Sequence, residues 1–277
     1  MKARFAKVFF LSFILISIAV SATGQMITGT GETVKQVRET ASFNAISNPT
    51  SADIIVEQGE KAMIVVKTDK ALIDHVITKV ENNKLTIKIN RNYRKIDVLE
   101  ILVTVPDLNS VVINGSGDFV FSGVFSTDAL MLNLNGSGDL NGKLKANKVK
   151  IDVRGSGDVD VVGINDELSL HMTGSGDVRV RKLQLNKCTV DMTGSGDLHL
   201  EGSVSLLVAN LSGSGDMGAY DLKAAKVDIV GNGSGDMTVS VSDYLKASLN
   251  GSGSIYYRGN PAKVKVSEKG SGEIIKR

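Results

Sequence analysis

The stretch NGSGD at Asn114–Asp118 decides the fold, because nearly the same letters return down the chain. It stands again as NGSGD at Asn135–Asp139, as RGSGD at Arg154–Asp158 and as TGSGD at Thr173–Asp177. Nine copies, 18 to 21 residues apart, begin at Gly115, Gly136, Gly155, Gly174, Gly194, Gly213, Gly233, Gly251 and Gly270, and the last two read GSGS and GSGE. A catalytic loop is needed once, whereas many copies at one period, with atypical terminal copies, indicate a solenoid.

The residues around each motif alternate between apolar and polar. Val190 and Met192 precede the first glycine of the fifth copy by four and two residues, and Leu198 follows it by four. This period of two is the pattern of a half-buried strand, and no period of 3.6 occurs. The absence of proline between Pro106 and Pro261 fits strands that need every N–H. The sequence therefore predicts an all-β protein, a β-solenoid built as a right-handed parallel β-helix with turns of about 19–20 residues.

The composition of the motif suits a tight corner. Glycine accepts a positive φ without a clash of Cβ, so one or both glycines of each copy are expected to adopt it. Serine and aspartate side chains can bind the backbone N–H groups that a sharp turn leaves unpaired. The motif is therefore interpreted first as architecture and only second as a binding feature.

Two segments precede the repeats. Residues 1–24 combine a basic start, a short apolar run and small residues before Gln25, which is the pattern of a secretory signal peptide. A retained membrane anchor is the alternative, but the run is short for a spanning helix. Residues 25–110 are β-rich and are expected to continue or cap the solenoid, and residues 111–277 form the GSGD-repeat β-helix. No transmembrane segment is expected after signal cleavage.

The net charge of the chain narrows the classes of partner that it could bind. The formal net charge is +2, and it falls to −1 without the three basic residues of the signal segment. A near-neutral chain has no general attraction to nucleic acid.

The single cysteine, Cys188, excludes an intrachain disulfide. Because it lies in line with Val149 and Leu168 of the preceding repeats, Cys188 is predicted to be a buried core residue.

Three stretches carry a resemblance to a known family: SFNAISNPTSADIIVEQG at Ser42–Gly59, NNKLTIKIN at Asn82–Asn90 and ILVTVPDLNSVVINGSGD at Ile101–Asp118. They resemble the putative auto-transporter adhesin, head GIN domain family, over nearly the whole chain after residue 24. The resemblance implies an exported bacterial protein with a β-helical fold and an adhesive role. It implies no catalytic or ligand-binding residues.

Several enzymatic motifs are absent. The third position of a phosphate-binding G-x-G-x-x-G is taken by Val120, and no helix follows it. A hydrolase elbow, G-x-S-x-G, would need glycines where Asn114 and Asp118 flank Ser116. The three histidines are scattered and no base is placed beside a nucleophile. No catalytic residue is therefore predicted.

One set of side chains could carry chemistry. Stacking in register would align the motif aspartates in a column, the Asp ladder: Asp118, Asp139, Asp158, Asp177, Asp197, Asp216 and Asp236. Carboxylates on adjacent strands repel, so either turn N–H groups satisfy each one or cations bridge the row. Ca²⁺ prefers 6–8 oxygen ligands, which such a column could partly supply. No cofactor is expected, with Ca²⁺ on the ladder as the alternative.

These features together favour a non-enzymatic exported β-helical protein, an adhesin-like or cell-envelope scaffold and interaction protein. A glycan- or divalent-cation-binding module that uses the Asp ladder is the alternative, and a polysaccharide-active β-helix enzyme is the third hypothesis. The expected location is the periplasm, the outer-membrane surface or the extracellular space. The expected partner is an envelope or extracellular protein or a glycan, and not nucleic acid.

Overall fold

The structure, a computed structural model, describes residues 26–277, of which about 70% are β-strand. No α-helix occurs among them, and a single 3-10 helix spans Ile73–His75. The predicted signal peptide lies outside the described residues. The strands are β1 (Ile27–Thr28), β2 (Thr33–Glu39), β3 (Ala45–Asn48), β4 (Asp53–Gln58), β5 (Met63–Asp69), β6 (Val76–Glu81), β7 (Lys84–Ile89), β8 (Tyr93–Arg94), β9 (Leu99–Val105), β10 (Ser110–Ile113), β11 (Phe119–Leu134), β12 (Leu140–Val153), β13 (Val159–Gly174), β14 (Val178–Gly194), β15 (Leu198–Gly213), β16 (Met217–Gly233), β17 (Met237–Gly251), β18 (Ile255–Arg258), β19 (Lys263–Gly270) and β20 (Ile274–Lys276).

Each central turn of the solenoid is one long strand bent at two corners and closed by a GSGD corner. In β14 we call residues 178–181 the first face, 183–185 the second face and 187–194 the third face, and we use these names for the in-register residues of other turns. Lys182 bends the chain between the first two faces with a φ of 54°. β14 pairs in parallel with β13 on one side and β15 on the other. Shifts of register lie between the first and third faces, so insertions are absorbed there and the GSGD corners stay aligned.

The core is a set of apolar columns that run along the solenoid. Cys188 lies between Leu168 and Leu207 on the third face, and all three side chains are fully buried. Burial of a large aliphatic side chain is worth about 1.5–3 kcal/mol, and each turn places several in the interior. The prediction of a buried Cys188 is confirmed, and so is the all-β solenoid of about nine turns.

The N-terminal strands extend two of these faces, and two of them, β5 and β6, run in the opposite direction. On the first face, β11 pairs in parallel with β4 and β4 with β9, after which β5 and β2 join antiparallel. On the third face, β10 pairs in parallel with β3 and β3 with β7, and β6 is antiparallel to β7. The Arg38 guanidinium of β2 closes this end by donating hydrogen bonds to the carbonyl oxygens of Val76 and Ile73 at 2.6 and 3.0 Å. Its burial lowers the pKa of Arg38, against the opposing effect of the Asp74 carboxylate.

Among the described strands, none covers the C-terminal end of the solenoid in this way. β19 pairs only with β17 among the described strands, and Val264 and Val266, which continue the core columns, are 41% and 53% exposed. Glu268 occupies the position at which the previous turn buries Leu249, and its carboxylate accepts the Ile274 N–H at 2.7 Å. A charge at an inward position is a known means of preventing edge-to-edge association.

Residues 26–277 contain no helix that could span a lipid bilayer.

Candidate functional site

The GSGD corners stack so closely that their glycines cannot carry a side chain. A Cβ placed on Gly176 would lie 2.1 Å from the carbonyl oxygen of Gly157 in the preceding turn, and one on Gly174 would lie 2.1 Å from that of Gly155. The expected positive φ occurs at the first glycine of five later copies, such as Gly194 at 143°, but not at Gly176. The expectation of a positive φ at one or both glycines is therefore wrong for the first four copies, which include Gly174 and Gly176. Contact with the layer beneath is what requires glycine there.

The structure brings all seven predicted aspartates of the Asp ladder into one column and gives each carboxylate the same partner. Oδ1 of Asp158 accepts the backbone N–H of Asp177 at 2.8 Å, and Oδ1 of Asp177 accepts that of Asp197 at 2.8 Å. The same bond, between 2.7 and 3.0 Å, recurs along the whole column. Each carboxylate thus binds the next turn, whereas sequence reasoning expected it to bind N–H groups of its own corner.

Sequence reasoning missed both ends of the column. Asp53 precedes Asp118, because its Oδ1 accepts the Asp118 N–H at 3.0 Å, and Oδ1 of Asp236 accepts the N–H of Ser254 at 2.7 Å. Asp53 stands in TSAD at Thr50–Asp53, where the glycines of the motif are missing. The sequence pattern that could have identified Asp53 is an aspartate after a small residue, followed by the alternating stretch of β4.

The hydrogen bonds change the electrostatic argument about cations. Every ladder carboxylate has a backbone N–H donor on one oxygen, and this offsets part of the cost of stacking like charges. The serine hydroxyls of the corners point to solvent, as at Ser156 and Ser175, which are exposed. Within residues 26–277 no group of three or more His, Cys, Asp or Glu side chains could hold a metal ion. One oxygen of each ladder carboxylate is therefore already bound to the backbone of the next turn.

A shallow groove runs beside the ladder on the first face. It has a volume of about 520 Å³ and is lined by Asp158, Asp160, Asp177, Arg179, Asp197, His199, Asp216 and Gly218. Gly218 leaves a gap in the outward row that Arg179 and His199 occupy in the two preceding turns. Arg181 neutralises Asp160 through an ion pair of 2.7 Å. The groove offers carboxylates, one guanidinium and one imidazole to polar groups of a ligand.

The remaining reactive side chains are kept apart. His171 lies on the third face between Asp152 and Asp191, His199 lies on the first face, and the His75 ring is 2.9 Å from the Asn90 amide oxygen. Burial raises the pKa of the Cys188 thiol to about 12, so a thiolate does not form at physiological pH. The arrangement shows no nucleophile activated by a base among the described residues.

Comparisons with known proteins agree with this architecture. The family model described as "Putative auto-transporter adhesin, head GIN domain" matches residues 42–198 and 160–261. No curated protein matches the chain. A crystal structure described as a putative lipid binding protein from Parabacteroides distasonis ATCC 8503 is 27% identical with a TM-score of 0.69, and the match covers 91% of this chain and 100% of that one.

Two further crystal structures share the fold. A putative adhesin from Parabacteroides merdae ATCC 43184 is 24% identical with a TM-score of 0.64 and coverage of 90% of this chain and 99% of that one. A putative adhesin from Parabacteroides distasonis ATCC 8503 is 21% identical with a TM-score of 0.65 and coverage of 91% and 100%. These two likenesses concern the fold alone.

Proposed function

We propose that this chain, which belongs to the putative auto-transporter adhesin, head GIN domain family, is a non-enzymatic adhesin-like protein of the cell envelope that presents a repeated surface to a large partner. The family description supports an adhesin-like protein that is exported or on the cell surface. The proposed location is the periplasm, the outer-membrane surface or the extracellular space. The proposed partner is an envelope or extracellular protein or a glycan.

The observation that carries the proposal is the contrast between constant corners and variable outward rows. The Asp ladder and its glycines repeat almost unchanged, and their polar groups are used to join one turn to the next. One outward row of the first face, in contrast, runs through Asp160, Arg179 and His199 in three consecutive turns. A rigid scaffold with varied outward side chains suits recognition of an extended ligand, whereas catalysis requires one locally assembled site.

The test is a binding panel with purified protein. Glycans, extracellular-matrix proteins and lipid vesicles would be presented in parallel, since one structural relative is described as a putative lipid binding protein. We expect saturable binding by one class, weakened by the double variant Arg179→Ala, His199→Ala, with an unchanged melting temperature. Lys226→Ala, on the third face of a later turn, is the matched control. Release of reducing sugar from a polysaccharide would contradict the non-enzymatic proposal.

The groove beside the ladder favours a second candidate, a glycan- or divalent-cation-binding module. Its carboxylates and His199 could bind sugar hydroxyls, and the second carboxylate oxygens could attract a cation. The hydrogen bonds to Oδ1 make tight Ca²⁺ binding the weaker of these two alternatives, because Ca²⁺ requires 6–8 oxygen ligands. Calorimetric titration with CaCl₂ and with acidic and neutral oligosaccharides distinguishes them. Binding of neither ligand would remove this candidate.

A further inference from the structure

The outer surface of the first face changes character between the N-terminal strands and the repeats. One outward row crosses β2, β5, β9, β4 and β11, and we call it the apolar row. Its members, in spatial order, are Val37, Val65, Leu102, Ile55 and Val120. In the repeats the same row continues with Asn141, Asp160 and Arg179. The apolar character therefore ends at β11, the first long strand of the repeats.

The apolar row is separate from the core. The inward neighbours Ile64 and Ile101 are buried, with 1% and 0% exposure, whereas Val37 is 65% and Leu102 36% exposed. Met63, on the adjacent outward row, is 42% exposed. Val65, Ile55 and Val120 are half-buried. An aligned set of exposed and half-buried apolar side chains over five strands marks an interaction surface.

A charged row flanks the apolar row and has a self-complementary order. Lys35, Lys67, Glu100 and Asp53 follow one another across β2, β5, β9 and β4, so the sequence of charges is plus, plus, minus, minus. The central pair, Lys67 and Glu100, forms an ion pair of 2.9 Å.

The two outer charges of this row have no ion-pair partner among the described residues. Lys35 and Asp53 are three strands apart, about 14 Å, which is too far for a bond within one chain. Asp53 accepts only the Asp118 N–H, at 3.0 Å. A second copy rotated by 180° about an axis parallel to the strands would place its two lysines of this row over the two acidic residues of the first copy.

We propose that the apolar row is the contact surface of a homodimer whose two-fold axis is parallel to these strands. The axis passes between β5 and β9, so that Val37 packs on Ile55 of the second copy and Val65 on Leu102. The same operation places Lys35 over Asp53 and Lys67 over Glu100 of the second copy. This surface lies away from the repeat groove, so the inference goes beyond the proposed function.

The size of the surface predicts a weak dimer. The four strands that pair across the axis, β2, β5, β9 and β4, cover about 20 Å by 20 Å over three outward rows, or on the order of 400 Å² per copy. Stable complexes bury about 800 Å² per partner. The association is therefore concentration-dependent.

A like-charge contact weakens the dimer further. Glu39 and Glu57 lie at the two ends of the outward row that contains Met63, on the other side of the apolar row. The two-fold axis would place Glu39 over Glu57 of the second copy, where the two carboxylates repel.

Sedimentation velocity of the purified protein from micromolar to millimolar concentration tests the proposal. We expect a monomer–dimer equilibrium that Leu102→Lys and Lys35→Glu each weaken at least about tenfold. Glu39→Lys should tighten it, because it replaces a like-charge contact with an attractive one. Val37→Lys, at an exposed edge position, should weaken association without a loss of fold as measured by circular dichroism.

Matched charge changes in the repeats separate this geometry from a general effect of net charge. Lys226→Glu and Glu201→Lys change the charge by the same amounts and should leave the equilibrium unchanged. A monomer at millimolar concentration would overturn the proposal, and so would a dimer indifferent to the apolar-row variants. Binding of a monomer to phosphatidylcholine–phosphatidylglycerol vesicles through Leu102 would also overturn it and identify a lipid surface as the occupant.

Discussion

The N-terminal strands and the repeats solve the same corner in two ways. In the repeats, every corner rests on an identical corner, and both glycines are pressed against carbonyl oxygens of the turn beneath. In the N-terminal segment, Thr50 and Ala52 fill the positions of those glycines and support the first repeat, while Asp53 makes the same ladder bond. The aspartate is thus present at a corner whether or not another corner lies beneath it, whereas glycine is needed only where one does.

The largest expected effect tests the glycine half of this comparison. Gly176→Val should destabilise the protein by about 3 kcal/mol, because its Cβ would lie 2.1 Å from the Gly157 carbonyl oxygen and the stack must open. Ser175→Ala, at an exposed position in the same corner, should change stability by less than about 0.5 kcal/mol. Urea midpoints followed by circular dichroism measure both. Equal losses would show that close stacking is not what selects glycine.

The next effect tests how the Arg38 side chain closes the N-terminal end of the solenoid. Arg38→Met should cost about 2 kcal/mol, because the carbonyl oxygens of Ile73 and Val76 lose a charged donor. Lys35→Met on the same strand faces outward and should cost less than about 0.5 kcal/mol. The free energy of unfolding at low protein concentration, where no dimer forms, is the measurement. Equal values for the two variants would remove the assigned role of Arg38.

A third effect concerns acid, which should loosen the N-terminal end through protonation of Asp69. Burial raises the pKa of Asp69, but hydrogen bonds from Ala71, Gly31 and Thr30 outweigh it and leave the pKa below its usual value. The stabilisation is therefore present above the unfolded value of about 3.9 and is lost as pH falls through the lower folded value.

Hydrogen exchange of the Thr30 and Gly31 amides between pH 5 and pH 2 measures this loss. Their protection should fall with Asp69 protonation, and Asp69→Asn should remove the pH dependence. Asp107→Asn, at an exposed position, is the control. Protection that persists at pH 2 would contradict the assignment.

The smallest effect tests the Asp ladder, which joins the two regions. Asp177→Asn keeps an oxygen acceptor for the Asp197 N–H and relieves repulsion from Asp158, so stability should stay within about 0.5 kcal/mol or rise slightly. Asp177→Ala lacks the acceptor and should lose about 1 kcal/mol. Melting temperatures with and without CaCl₂ complete the test. A large calcium-induced rise that Asp177→Asn abolishes would move the ladder from architecture to metal binding.

The sequence by itself determined the solenoid, the alignment of the seven motif aspartates and the burial of Cys188. These follow from the period of about 19–20 residues and from alternation within each strand, both of which can be read locally. Tertiary structure alone decided which turn each ladder carboxylate bonds, the antiparallel insertion of β5 between β9 and β2, and the inclusion of Asp53 in the Asp ladder. Asp53 and Asp118 are 65 residues apart. Contacts over that distance depend on which strands lie side by side, and no local pattern records it, so the TSAD corner and the apolar row became visible only in the folded chain.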